Sequence, residues 1–135
     1  TREIRRHKPD VLITTAPFRT LGQNYGSSHP DHIAAGEAAL SSVYPTARDR
    51  LTFPELLDEG FEPHKVREVW VMSREDADHF NDISEEDMET ALKALAAHTS
   101  QVPPEAIERV RAWKSENGKT HNMKYAESFR TFTLR

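Results

Sequence analysis

Two histidines three residues apart, His29 and His32, are the first residues in this sequence whose types and spacing could do chemistry. They fall at the predicted start of a helix, where residues three apart share one face with Cβ atoms about 5–6 Å apart. Two imidazoles placed in this way can point into one pocket and act as metal ligands. Most pairs of this spacing are surface or capping residues, and two histidines do not complete a catalytic metal site. The pair therefore needs support from its position in the fold.

The segments around the pair predict such a position. Residues 11–15 are apolar and mostly β-branched, which is typical of a strand buried on both faces in a parallel sheet. The histidines follow this strand, and open α/β sheets bind ligands beyond the carboxyl ends of their strands. Pro30 favours the first helical turn, and Asp31 is placed to orient one imidazole. We expect a stripe of small residues to pack the helix closely on the sheet: Ala34, Ala35, Ala38, Ala39 and Val43.

The remaining segments predict an alternation of strands and helices. The first half of the chain begins with a helix that ends before Pro9, and later has an irregular segment over Leu51–Lys65 and a strand over Val66–Met72. An acidic loop over Ser73–Asp82 follows. The second half then has helices that begin at Ser84 and at Pro103-Pro104, and an aromatic tail over Tyr125–Leu134. This order predicts an α/β fold with a parallel sheet. Two clear strands are too few for such a sheet, so we expect the C-terminal part of a larger domain whose first strands lie in an N-terminal part.

Composition excludes several classes of protein. The chain has 135 residues, a net charge of −4 and no cysteine. The acidic balance argues against general nucleic-acid binding. No apolar run approaches the roughly 20 residues that span a bilayer, and the first residues contain no apolar signal-peptide core. The lack of cysteine excludes disulfides and thiolate metal sites and is typical of a cytoplasmic protein. We therefore predict a cytoplasmic protein with neither nucleic acid nor membrane as a partner.

The other histidines and acidic residues fit ordinary structural roles. His98 falls on the apolar face of its predicted helix, where we expect a core histidine with satisfied hydrogen bonds. Asp76, Asp78 and His79 cluster in the acidic loop, and short acidic loops are usually solvated turns. Three histidines lie among polar residues and are expected at the surface: His7, His64 and His121.

The segment His29-Pro30-Asp31-His32, followed by Ala34-Ala35-Gly36, resembles the second metal motif of the LmbE-like, or PIG-L-type, zinc deacetylases. The resemblance covers nearly the whole chain. Lys8–Thr14 is similar to the strand before that motif, and Pro63–Trp70 is similar to the strand after it. The later segments His79–Ser84 and Lys93–Gln101 resemble the next loop and a helix that ends in a His-x-Ser-Gln pattern.

The resemblance implies a Rossmann-like α/β fold, with a mostly parallel sheet and flanking helices, of which residues 1–135 are the C-terminal portion of a single domain. It implies one Zn²⁺, with His32 as the third protein ligand. His29 would face the reacting carbonyl, where it stabilises the oxyanion or protonates the leaving amine, and Asp31 would hold His29 in orientation. Some relatives use a tyrosine directly before the motif to polarise the carbonyl. Tyr25 is the matching candidate, although two serines intervene.

Besides these two serines, the sequence departs from the family in its first metal motif. Two zinc ligands and the general base come from an N-terminal histidine-proline-aspartate-aspartate motif, which this chain does not contain. We expect hydrolysis of an N-acetyl group on a glucosamine-type sugar or sugar conjugate only with that N-terminal segment, supplied upstream or by a second chain. This chain alone is expected to be inactive. Specificity is expected in the loops Phe18–Ser28 and Leu51–Lys65.

Two other interpretations remain open at this point. The chain could be a non-catalytic remnant of the fold that serves as a binding or assembly module. Alternatively, His29 and His32 could form a self-contained metal site with another residue of this chain, such as His79 or an aspartate. A homo-oligomer is also expected, because an incomplete sheet exposes apolar surface that needs a partner.

Overall fold

The computed structural model describes residues 1–19, 29–73 and 76–135. Its elements in chain order are α1 (Arg2–His7), β1 (Val11–Thr14), α2 (Pro30–Ser41), α3 (Glu55–Asp58), β2 (Glu68–Met72), β3 (His79–Asp82), α4 (Glu85–Ala96), α5 (Pro104–Lys119) and β4 (Ala126–Thr133). The sheet order is β1-β2-β4-β3, with β1 and β2 parallel and β3 and β4 antiparallel. The α/β class is therefore confirmed. The sheet is mixed, however, rather than mostly parallel.

The chain divides into two compact units, of which the first consists of Thr1–Glu75 and Arg130–Arg135. Its core lies on one face of the β1–β2 pair, where Val69 and Val71 of β2 are buried. Helix α1 ends as predicted: Lys8 adopts a left-handed conformation with φ of 48° and Pro9 follows. The other buried members of this core come from α1 and from the segments that follow α2 and α3: Ile4, Val43, Ala47 and Val66.

A buried arginine holds α1 to the rest of this unit. Arg5 is fully buried. Its guanidinium donates hydrogen bonds to four backbone oxygens, those of Thr46, Ala47, Asp49 and Thr52. A buried charge is tolerated only when it is paired or well hydrogen-bonded, and here the main chain of one loop supplies the acceptors.

The described residues bury one face of strand β1 and leave the other exposed. Ile13 is 56% exposed and Val11 is 38% exposed, whereas Thr14 is buried. The register places Val11 beside Glu68 and Ile13 beside Trp70, so these four side chains share the uncovered face. The expectation of a strand buried on both faces is therefore wrong. A short apolar run does not by itself reveal whether one face or both faces are covered.

Helix α2 packs through a glycine rather than through its alanines. Ala34, Ala35 and Ala38 are exposed, and Gly36 is the buried residue of the helix. A Cβ atom built on Gly36 would lie 2.5 Å from the backbone oxygen of Thr15. The expected stripe is therefore wrong for Ala34, Ala35 and Ala38, whereas Val43 is buried as expected and Ala39 is half-buried.

The second unit, Asp76–Phe129, contains α4, α5, β3 and the first half of β4. Ser84 caps α4 as predicted, since its hydroxyl accepts a hydrogen bond of 3.0 Å from the backbone N–H of Asp87. The core of this unit combines three buried residues with three partly buried ones: Met88, Leu92 and Tyr125, with Ile83, Ile107 and Val110.

The aromatic tail packs as predicted through Tyr125 and Phe129, which are buried, and it forms the strand β4. Two predictions for this second half of the chain are wrong. The acidic loop contains the strand β3. Strand β3 has the sequence His-Phe-Asn-Asp, which lacks an apolar alternation and becomes a strand by pairing with β4. His98 is exposed and follows the end of α4, so it is not a core residue. In the described part of the chain, no helix has both the length and the apolar character to cross a membrane.

Candidate functional site

The structure brings His29 and His32 together at the start of α2. His29 is the N-cap residue, Pro30 is the first residue of the helix, and His32 lies in its first turn. The two imidazole rings are 5.8 Å apart between centroids and are tilted by 52°. Both residues are exposed. The histidine spacing, together with the predicted helix start, correctly anticipated a pair of imidazoles on one side of the first turn.

His29 caps the helix with its own ring. The Nδ1 atom of His29 accepts a hydrogen bond of 3.1 Å from the backbone N–H of Asp31. A neutral imidazole that accepts at Nδ1 carries its proton on Nε2. The cap thus leaves an Nε2–H donor on the side of the ring away from the helix. This hydrogen bond orients the ring and favours that tautomer.

Asp31 contributes to this arrangement through its backbone. Its carboxylate oxygen Oδ2 lies 3.9 Å from Nδ1 of His29, which is beyond hydrogen-bond distance, and its side chain is 89% exposed. A negative charge in the first helical turn also interacts favourably with the helix dipole.

Thr15 and Gly36 connect the histidine pair to the sheet. The hydroxyl of Thr15 donates a hydrogen bond of 2.5 Å to the backbone oxygen of His32. The backbone oxygen of Thr15 also lies against Gly36, one turn further along α2. Neither residue was among the candidate site residues predicted from the sequence. The available signal was the single glycine within α2, four residues after His32, at a position where alanine would be the better helix former.

Two of the described residues have side chains that could contribute to a zinc site. Imidazole nitrogen is a suitable zinc ligand, so His29 and His32 fit the chemistry of such a site. Within residues 1–19, 29–73 and 76–135, no group of three or more histidine, aspartate or glutamate side chains could hold a metal ion. The self-contained metal site with His79 therefore finds no support in this part of the chain. Tyr25 lies outside the described residues, as does most of the loop 18–28.

The fold is similar to that of the LmbE-like, or PIG-L-type, deacetylases. Over 98% of its length, this chain is similar to N,N'-diacetylchitobiose deacetylase from Pyrococcus horikoshii, solved in complex with its inhibitor MPG, with 25% identity and a TM-score of 0.77. It is also similar over 95% of its length to the conserved protein TT1542 from Thermus thermophilus, with 23% identity and a TM-score of 0.71. The family resemblance inferred from the motifs is thereby confirmed.

The matched region is a part of each of these proteins. The chain covers 52% of the Pyrococcus horikoshii structure and 54% of the Thermus thermophilus structure, so it spans about half the length of the solved structures it matches. No family model matches the sequence, and no curated protein does.

Proposed function

We propose that this chain carries part of the active site of a zinc-dependent hydrolase that removes the acetyl group from the nitrogen of a glucosamine-type sugar or sugar conjugate. One observation carries the proposal: His29 and His32 lie together just beyond a parallel strand, in a fold similar to a diacetylchitobiose deacetylase over 98% of the chain. Ligands of α/β sheets bind in that location.

The two histidines would have different roles. His32 would provide one zinc ligand through its imidazole. Zinc, when bound, would supply a water molecule whose pKa is lowered to about 7. His29 would donate a hydrogen bond from Nε2–H to the acetyl oxygen as that oxygen gains negative charge. If the ring is first protonated at Nδ1, the imidazolium would instead pass its Nε2 proton to the leaving amine and return to the neutral form. Removing a donor of this kind typically costs about 2.7–4 kcal/mol of transition-state stabilisation.

Asp31 and Tyr25 would support these steps. The backbone N–H of Asp31 already holds the ring of His29 in orientation. Its carboxylate, 3.9 Å from Nδ1, would stabilise the imidazolium form if the ring takes up a proton during the reaction. Tyr25 would supply a second hydrogen-bond donor to the acetyl oxygen.

The remaining zinc ligands and the general base would come from another segment. We propose that residues 1–135 are the C-terminal portion of a single deacetylase domain. An N-terminal segment, on the same polypeptide or on a second chain, would complete the site. The coverage of about half of each solved relative supports this arrangement. The chain alone would then be inactive.

The first test is the intact mass, under denaturing conditions, of every polypeptide in the purified protein. A longer chain or a second polypeptide that carries a histidine-proline-aspartate-aspartate motif agrees with the proposed enzyme. A single species of 15.4 kDa would contradict it and would favour the alternative, a non-catalytic binding or assembly module.

The second test uses variants of the complete protein, with zinc content and acetate release from N,N'-diacetylchitobiose as readouts. His32→Ala should lose both zinc and activity. His29→Ala should keep its zinc and lose about 10²–10³-fold in kcat, because it removes a donor and not a ligand. His7→Ala is the matched control, since His7 is an exposed histidine on α1. Full zinc occupancy in His32→Ala would refute the assignment.

A further inference from the structure

Thr15 makes two contacts with α2, and they lie one helical turn apart. Its hydroxyl donates to the backbone oxygen of His32 at 2.5 Å. Its own backbone oxygen lies so close to Gly36 that an added Cβ would be 2.5 Å away. One contact would set only the distance between helix and strand. Two contacts a turn apart also restrict the rotation of the helix about its axis.

That rotation determines where the imidazoles point. Successive residues on an α-helix are about 100° apart around the axis, so a rotation of α2 would change the directions in which His29 and His32 point. Thr15 itself directly follows β1, whose last residue, Thr14, pairs with Val71 of β2. The hydroxyl of Thr15 thus transmits the position of the sheet to the first turn of α2.

We infer that Thr15 is a positioning residue for the histidine pair, acting through its hydroxyl on the backbone of His32. This role rests on the proposed function, because it concerns the ligand geometry of the same site. Groups that orient metal ligands typically change metal affinity by about 10–100-fold when they are removed. A backbone contact acts less directly than a hydrogen bond to the imidazole, so we expect an effect near the lower end of that range.

The inference can be tested on the 135-residue chain with Ni²⁺ as the probe. Ni²⁺ binds imidazole more strongly than most divalent metals do, so two histidine ligands suffice for a measurable affinity. Isothermal titration calorimetry would compare the wild type with Thr15→Val and Thr15→Ser. A variant with both His29→Ala and His32→Ala gives the background from the other five histidines, since the chain has seven in all.

The expected result is a Ni²⁺ affinity about 10-fold weaker in Thr15→Val, with Thr15→Ser within about twofold of the wild type. Far-UV circular dichroism should be unchanged, which separates positioning from a loss of fold. Thr15→Ala replaces Thr15→Val if the valine variant does not fold. Wild-type affinity in the valine or alanine variant would overturn the inference. So would equal weakening by serine, or Ni²⁺ binding by the wild type that does not depend on His29 and His32.

The Ni²⁺ comparison is independent of catalysis. Chelation by two imidazoles needs neither the substrate nor the ligands from another segment. If the complete protein holds no zinc and releases no acetate, the proposed function fails while the role of Thr15 can still be confirmed. If Thr15→Val leaves Ni²⁺ binding by the 135-residue chain unchanged while the complete protein is an active deacetylase, the positioning role alone fails.

Discussion

Replacing Gly36 by alanine should destabilise the protein, although alanine is the better helix former. In a solvent-exposed helix this change stabilises by about 1 kcal/mol. At Gly36, the added methyl group would lie 2.5 Å from the backbone oxygen of Thr15 and 3.0 Å from backbone atoms of Ala16 and Pro17. These neighbours are main-chain atoms, so no side-chain rotation can relieve the overlap. Helix α2 must therefore move away from the end of β1.

The size of the destabilisation by Gly36→Ala is the cost of overpacking minus the gain in helix propensity. Ordinary van der Waals contact begins at 3.4 Å, so the shortest distance is 0.9 Å too small (3.4 − 2.5). Overpacking against a rigid neighbour costs about 1–3 kcal/mol, and three backbone contacts favour the upper half of that range. Subtracting the gain of about 1 kcal/mol from helix propensity leaves a net loss of about 1–2 kcal/mol.

The control lies in the same helix. Ala38 is exposed, so Ala38→Gly should cost about 1 kcal/mol and measures the propensity term in isolation. Urea denaturation followed by circular dichroism gives the free energy of unfolding for both variants, provided that their m-values match the wild type. Stabilisation of about 1 kcal/mol by Gly36→Ala, as the mirror of Ala38→Gly, would refute the close approach of α2 to Thr15.

Two other predictions concern interactions away from the histidines. Arg5→Met should lower the free energy of unfolding by at least about 3 kcal/mol, because four backbone oxygens lose a charged donor. The control is Arg6→Met at the neighbouring exposed position, which should lower it by less than about 1 kcal/mol. Similar losses for both variants would contradict the buried role of Arg5. The hydrogen bond from Arg111 holds the pKa of Glu89 in the folded protein below its ordinary value of 4.5. The stabilisation of the fold by this pair is therefore fully present above pH 4.5, and it is lost as the pH falls through the lowered pKa of Glu89. The difference in unfolding free energy between the wild type and Glu89→Gln should therefore shrink between about pH 7 and about pH 3, and a constant difference would contradict this linkage.

Features that depend on a few adjacent residues were predictable from the sequence. Pro30 begins α2, and Ser84 caps α4, because both arrangements are completed within one helical turn. The pairing of His29 with His32 has the same local origin, since helix geometry alone brings residues three apart onto one side. The α/β class followed from the order of segments, and the family followed from motifs along the chain.

Features that depend on distant partners were not predictable in this way. Strand β3 has one apolar residue in four, and only its antiparallel pairing with β4 makes it a strand. The uncovered face of β1 follows from which sides of the β1–β2 pair other elements pack against, which a run of β-branched residues does not encode.

The candidate site also combines features set by adjacent residues with features set by distant ones. The sequence by itself determined the residue types of the site, the start of its helix, and the fact that two imidazoles share a turn. Only the tertiary structure decided how that helix meets the sheet, through Gly36 and through the bond from Thr15 to the backbone of His32. The physical reason is that a side chain's chemistry and its local helix are set by short-range interactions. The direction in which it points depends on contacts between segments that the chain brings together only on folding.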